Sequence, residues 1–376
     1  MTAKKKLLVT GANGFVAGSI LGQAGDDWHV HAASRGQPLA QREDFHWHTC
    51  EQTPQWAKIF DEVRPDVVIH TAALADIDFC EANQELARAV NVELTRTLAN
   101  LCAEVSAKLV FCSTDTIFNG EQAPYVESDP PAPVNFYAET KVEAERIVAS
   151  LGTRSVIARL SLVVGLPVLG AGNSFLARMI ATFREGRTVA LSEQEIRTPV
   201  DVITVGQGLL ELAAGDHHGI FHIAGNERLN RFEIARKIAA RFGFPKEFVV
   251  AQALATTPGR AARAHLDTAT NKVVSGVPPD VEGGRPAPRK EPSKSNLSGD
   301  SSAIEFHAVD PPGGTPDSTA GKMPAATVAA SRGARAVRPR DVSLDNAKAR
   351  ANLTTSMRNL DEGLSLILQT AATPTP

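Results

Sequence analysis

Cysteine is scarce in this chain: Cys50, Cys80, Cys102 and Cys112 are the only four in 376 residues. Their spacing excludes the short paired pattern of a zinc site and their number excludes a secreted disulfide scaffold, so reduced thiols and a cytoplasmic setting are expected. Charge of one sign is also lacking. A formal net charge of −3, with acidic and basic residues interspersed, gives no reason to expect nucleic acid or a membrane surface as partner. No apolar run reaches membrane-spanning length. The basic start, Lys4-Lys5-Lys6, leads into an apolar run, Leu7-Leu8-Val9-Thr10, too short for a signal peptide. A small-molecule substrate fits what is left.

The chain is long enough for one large domain and a smaller one. Short apolar runs at Lys6–Thr10, His29–Ala33, Asp66–His70, Lys108–Ser113 and Ser155–Ser161 alternate with segments of helical periodicity such as Gln84–Cys102. That alternation predicts an α/β fold, a Rossmann-type doubly wound parallel sheet, over residues 1–160. Residues 161–255 read as a smaller, helix-rich substrate lobe, with helices expected at Ser174–Arg184, Thr204–Ala214 and Arg231–Phe242 and a short strand at Gly219–Ile223. Between Thr256 and Val337 proline, glycine, alanine and serine dominate and Phe306 is the only aromatic residue, so an unstructured insertion is expected over 256–337. Helical periodicity returns at Asn346–Leu368, and residues 338–376 are expected to rejoin the lobe.

Gly11-Ala12-Asn13-Gly14-Phe15-Val16 follows the first strand and opens a helix. Gly11 suits the tight turn. Gly14 lets a pyrophosphate approach the free N–H groups of the helix start, so Gly11, Asn13, Gly14, Phe15 and Val16 are candidate cofactor contacts. The second strand ends at Ser34-Arg35 with no acidic residue to bind a ribose 2′-hydroxyl. A serine and an arginine suit a 2′-phosphate, which favours NADPH, with NADH the alternative. Ala72 and Ala73 are small enough for a cofactor to pass, and Asn91 follows on a helix.

Ser113-Thr114-Asp115 closes a predicted strand, and Tyr137-x-x-x-Lys141 sits at the start of a predicted helix. Residues four apart share a helix face, so the phenol and the ammonium converge. A carbonyl under reduction needs a proton on oxygen. A nearby lysine is expected to bring the tyrosine pKa down from about 10, and Thr114 to hold the substrate oxygen. Asp76, Asp115, Arg159 and Arg197 are candidate substrate contacts, although for either arginine a structural salt bridge is the alternative. His46, His48 and Cys50 alternate along one strand face, but an edge-strand role is expected there rather than a metal site.

Together, Gly11-Ala12-Asn13-Gly14, Thr71-Ala72-Ala73, Val90-Asn91, Ser113-Thr114-Asp115 and Tyr137-x-x-x-Lys141 resemble the extended short-chain dehydrogenase/reductase superfamily. Within it, Arg64-Pro65-Asp66-Val67-Val68-Ile69-His70, Thr116-Ile117-Phe118, Glu127-Ser128-Asp129 and Arg338-Pro339-Arg340-Asp341-Val342-Ser343-Leu344-Asp345 are similar to the dTDP-4-dehydrorhamnose reductase family. Thr116 stands where that family usually has an aromatic residue. The resemblance covers about residues 5–250 and 338–370. It implies NADPH reduction of a nucleotide-linked 4-keto sugar in dTDP-rhamnose biosynthesis, Ser113 beside the cofactor, and the catalytic roles given above to Tyr137, Lys141 and Thr114. An NAD-dependent nucleotide-sugar epimerase or dehydratase, a non-catalytic regulatory subunit, and a homodimer all stay open at this point. Arg263-Ala264-His265-Leu266-Asp267 is a competing copy of the C-terminal motif, without its proline.

Overall fold

Leu7, Leu8 and Val9 are wholly buried in the first strand, as expected of a parallel strand covered on both faces. The computed structural model describes residues 4–38, 45–51, 54–169, 174–252 and 335–372. All of these belong to one unit, Met1–Ala264 with Ala334–Pro376. Most of the expected insertion, and the competing motif copy, lie outside the described residues.

The strands are β1 (Lys5–Thr10), β2 (Trp28–Ser34), β3 (Phe45–Thr49), β4 (Val67–His70), β5 (Lys108–Thr114), β6 (Ser155–Leu160), β7 (Val163–Val164), β8 (Val189–Ser192), β9 (Ile196–Arg197), β10 (Val200–Asp201), β11 (Gly219–Ile223), β12 (Leu229–Asn230) and β13 (Val249–Gln252). The helices are α1 (Phe15–Gln23), α2 (Pro54–Val63), α3 (Ile77–Ala82), α4 (Gln84–Arg88), α5 (Leu94–Val105), α6 (Phe136–Ala149), α7 (Phe175–Arg184), α8 (Val202–Ala214), α9 (Arg231–Arg241), α10 (Ala347–Asn352) and α11 (Leu360–Ala372). A π-helical turn, Ala89–Glu93, joins α4 to α5.

Seven strands form one parallel sheet in the order β11-β6-β5-β4-β1-β2-β3. This is the Rossmann-like α/β fold expected from the alternation. Several elements expected in the smaller lobe pack on the main sheet: α8 lies against α1, and α8 and α10 share the core of β1 and β6. Gly219–Ile223, expected in the smaller lobe, pairs with β6 and extends the main sheet, because its buried Phe221 and Ile223 join the core around β1 and β6. Asn346–Leu368, expected as one helical stretch, is divided into α10 and α11 by the non-helical residues 353–359. Strand order reverses between β1 and β4, and the crevice at the carboxyl ends of these strands is where open α/β sheets bind ligands.

Apolar clusters lie on both sheet faces. A third core joins α7, α9 and α11 through Leu176, Phe183, Ile234, Ile238 and Leu364. Arg338–Asp345 zips across neighbouring segments: Ile196 N–H donates to the Arg340 carbonyl (2.7 Å), Tyr125 N–H to Ser343 (2.9 Å), and Asp345 N–H to Tyr125 (2.7 Å). Gly120 makes room for it. Its φ is +85°, and a Cβ there would lie 2.8 Å from the Arg340 nitrogen.

Candidate functional site

Gly11 carries the chain out of β1 with φ +72°, and a Cβ would sit 2.8 Å from the backbone of Ala72. The β1–α1 turn therefore packs directly on the loop after β4, and only glycine combines that φ with that closeness. At Gly14 a Cβ would lie 2.9 Å from the Gly11 carbonyl oxygen. Gly14 is the N-cap of α1 and no side chain caps the helix, which leaves N–H groups of its first turn facing the crevice. Asn13 Nδ2 donates to Ser34 Oγ (3.3 Å) and to the Gln37 carbonyl (2.9 Å), and Ser34 Oγ donates to the Gly36 carbonyl (2.7 Å). Asn13 and Ser34 thus shape the loop after β2, on which Arg35 is exposed. A glycine cradle, an uncapped helix start and an exposed arginine fit a phosphorylated dinucleotide.

On the other side of β4, Thr114 ends β5 and Tyr137 lies in the first turn of α6, which Asn135 caps by accepting from the Ala138 N–H (2.9 Å). The phenol is buried, with the Thr114 hydroxyl as its hydrogen-bonding neighbour. Thr114 Oγ1 also meets Thr116 Oγ1 at 3.0 Å. Lys141 is buried one turn on from Tyr137, and its Nζ donates to the Cys112 carbonyl (2.7 Å) above the Phe111 ring. Burial drives both groups toward neutrality. It pushes the Tyr137 phenol above its ordinary value, with Cys80, Asp115 and Cys112 adding to the rise, and it lowers Lys141 to about 8. The expectation that Lys141 would lower the tyrosine pKa is not met here, because desolvation outweighs any pull from the ammonium.

Four expected contacts are committed elsewhere. Asn91, in the π-helical turn, accepts from Leu74 N–H (2.8 Å) and donates to the Leu74 carbonyl and Thr140 Oγ1 (3.0 Å each). It fixes the loop after β4 to α6 from behind the site. Ser113 alternates with Thr114 along β5 and donates to Glu145 Oε1 (2.6 Å). Arg159, expected at the substrate, is wholly buried in a two-point pair with the same carboxylate, at 3.1 and 2.9 Å. Its structural alternative is the one observed. Arg197 is likewise buried, pairing with Asp115 (3.7 Å) and Glu195 (3.7 Å) and donating to the carbonyls of Ile196 (2.8 Å) and Arg340 (3.2 Å).

Asp115 is held between Arg197 and the Ser161 hydroxyl (3.1 Å), and its pKa is nevertheless raised because burial outweighs the guanidinium. Asp76 is exposed and caps α3 by accepting from Phe79 N–H (2.8 Å). Sequence reasoning missed Arg231. It opens α9, stacks over Phe175 at 4.8 Å, and meets Glu195 only at 4.0 Å. Its charge acts on Asp115 and is felt in turn from Arg338. The Asn230–Glu233 capping box was the sequence sign that a helix starts here, but not that its first residue comes within electrostatic reach of Asp115. His46 and His48 group with His31, whose Nδ1 lies 3.0 Å from His48 Nε2, and burial lowers His31 to about 4.

The RmlD substrate-binding domain model matches residues 5–311. The chain belongs to that family. The probable low-salt glycan biosynthesis reductase Agl14 of Haloferax volcanii is 29% identical over 262 residues, 68% of this chain and 86% of the relative. The beta subunit of methionine adenosyltransferase 2 from Xenopus laevis is 29% identical over 249 residues, 64% of this chain and 73% of its own. Among solved structures, dTDP-4-dehydrorhamnose reductase of Bacillus anthracis in complex with NADP has a TM-score of 0.68 at 20% identity, covering 98% of this chain and all of that one. The chain is thus similar both to a probable reductase and to a named subunit of another enzyme. No helix among the described residues is long and apolar enough to cross a membrane.

Proposed function

We propose that this RmlD-family chain uses NADPH to reduce a nucleotide-linked 4-keto sugar. The convergence of Thr114, Tyr137 and Lys141 beside the Gly11–Gly14 turn carries this reading. Residues 1–160 would hold the cofactor, and residues 161–255 with 338–376 would shape the substrate side. Gly11, Gly14 and the free N–H groups at Phe15 and Val16 suit the pyrophosphate, Ala72 and Ala73 would line the crevice, and the exposed Arg35 would meet a 2′-phosphate.

Bound NADPH would supply a hydride to the carbonyl carbon. The Tyr137 phenol, kept protonated by burial, gives its proton to the carbonyl oxygen, and the Thr114 hydroxyl holds that oxygen in place. Lys141, with a pKa near 8, is poised to return a proton to the phenolate and to leave the Cys112 carbonyl for a ribose hydroxyl. Arg231 would meet an anionic group of the substrate, with the Asp115–Arg197 pair buried nearby. This charge pattern suits a nucleoside diphosphate better than a neutral sugar.

The beta-subunit relative supports a second reading, a dinucleotide-binding subunit without turnover. The intact Thr114, Tyr137 and Lys141 favour catalysis. A screen of NADPH and NADH oxidation against nucleotide-linked 4-keto sugars tests it: steady consumption with preference for NADPH supports reduction. No consumption with any member returns the chain to the subunit reading. Cofactor that stays bound and cycles without net oxidation points to an epimerase or dehydratase.

A further inference from the structure

Residues 336–338 touch α3 and the N-cap of α6, the helix that carries Tyr137. Ala336 N–H donates to Asp78 Oδ1 (3.0 Å), and the Arg338 guanidinium donates to both oxygens of the same carboxylate, at 2.9 and 2.7 Å. Between them, the Val337 carbonyl accepts from Asn135 Nδ2 (3.0 Å). Asn135 is the N-cap of α6, two residues before Tyr137. Asp78 lies in the first turn of α3, whose Cys80 packs with Phe136 and Tyr137, and whose neighbour Glu81 accepts from Phe136 N–H (3.1 Å). Three consecutive residues therefore tie α3 to the start of α6 around the phenol.

We propose that residues 336–338 are a strap that positions Tyr137, with Arg338 and Asp78 as its positioning pair. The inference rests on reading Tyr137 as the proton donor, but it concerns the placement of the phenol and can be tested without turnover. Arginine suits the task because its planar fork meets both carboxylate oxygens at once and fixes direction as well as distance. The pair is partly exposed, with 22% of the Arg338 side chain and 43% of Asp78 accessible, so it adds little to global stability. Its consequence is local. Tyr137 is faced by Cys80 from α3 and by Cys112, Thr114 and Asp115 from the end of β5 and the turn after it, with Lys141 buried one turn along its own helix. Cys80 belongs to the wall that the strap holds against the phenol, and a loosened strap lets α3 drift and water in.

The chain has two tyrosines, Tyr125 and Tyr137. Full-length protein labelled with [ζ-13C]tyrosine therefore gives two signals, assigned with Tyr137→Phe. The variants are Arg338→Ala, Arg338→Lys and Asp78→Asn. The strap predicts that in Arg338→Ala and Asp78→Asn the Tyr137 signal titrates lower than in the wild type, by about one pH unit or more toward the ordinary value of about 10. Tyr125 should stay unchanged and Arg338→Lys should fall between. Neither signal moving, or both moving together, overturns the proposal, the latter by showing a folding element instead. In the reductase assay, kcat should fall about tenfold in Arg338→Ala with KM for NADPH unchanged. An inactive wild type would defeat the functional reading and leave the NMR result to judge the strap.

Discussion

Lys141 Nζ donates a 2.7 Å hydrogen bond to the backbone carbonyl of Cys112, so the ammonium of the candidate catalytic pair is buried against a strand edge. A lysine lowered from 10.5 to about 8 binds fewer protons folded than unfolded between those values. Stability contributed at this site therefore rises with pH across that window and is flat below it. Replacing Lys141 by Met should relieve the penalty at pH 7, by on the order of 3 kcal/mol at most, while turnover falls roughly 100-fold or more. Urea unfolding of both proteins at pH 7 and pH 10 checks this: the variant's advantage should shrink at the higher pH.

Arg159 and Glu145 form a buried pair, with side chains 2% and 6% exposed. Arg159→Leu leaves the carboxylate buried with the Ser113 hydroxyl as its remaining side-chain hydrogen-bond donor among the described residues and should cost about 3–5 kcal/mol of stability. Equilibrium unfolding measures this, and KM for the sugar substrate should not change in protein that remains folded.

Arg231 lies 4.0 Å from the Glu195 carboxylate and has an aromatic ring beneath it. Arg231→Ala should raise the substrate KM roughly 10- to 100-fold, the worth of a charged hydrogen bond, with little change in kcat. Steady-state kinetics at saturating NADPH separate the two constants.

Arg35 is exposed at the end of β2, beside a serine that closes its own loop. Arg35→Ala should weaken NADPH binding roughly 10-fold or more and leave NADH binding unchanged. Fluorescence titration with each reduced cofactor distinguishes a 2′-phosphate contact from a surface charge.

The sheet and the glycine turn were legible because both follow from short-range pattern: apolar runs of strand length, and Gly11 at the one place where β1 must turn sharply. The placement of Tyr137 and Lys141 one turn apart on a buried stretch of helix was legible for the same reason. What sequence could not show depends on the far side of each element. Ser113 and Thr114 are neighbours in the chain but point to opposite sheet faces, and only the position of α6 decides which face meets Glu145. Arg159 reads as a strand-end arginine until burial and its partner are known. The direction of the Tyr137 shift was missed because desolvation is a property of the packed site and not of the Tyr-x-x-x-Lys spacing. Arg338 lies 260 positions from the carboxylate it grips, a contact that no local pattern announces.

The central claim is proton donation by Tyr137 as hydride reaches a sugar carbonyl. Its most direct test is turnover of a nucleotide-linked 4-keto sugar with NADPH carrying deuterium at the transferable C4 position, followed by mass spectrometry of the product. The account predicts one deuterium on the former carbonyl carbon with wild-type protein and, with Tyr137→Phe, a rate lower by roughly 100-fold or more although NADPH still binds. Product without deuterium, or full-rate transfer by Tyr137→Phe, would contradict it.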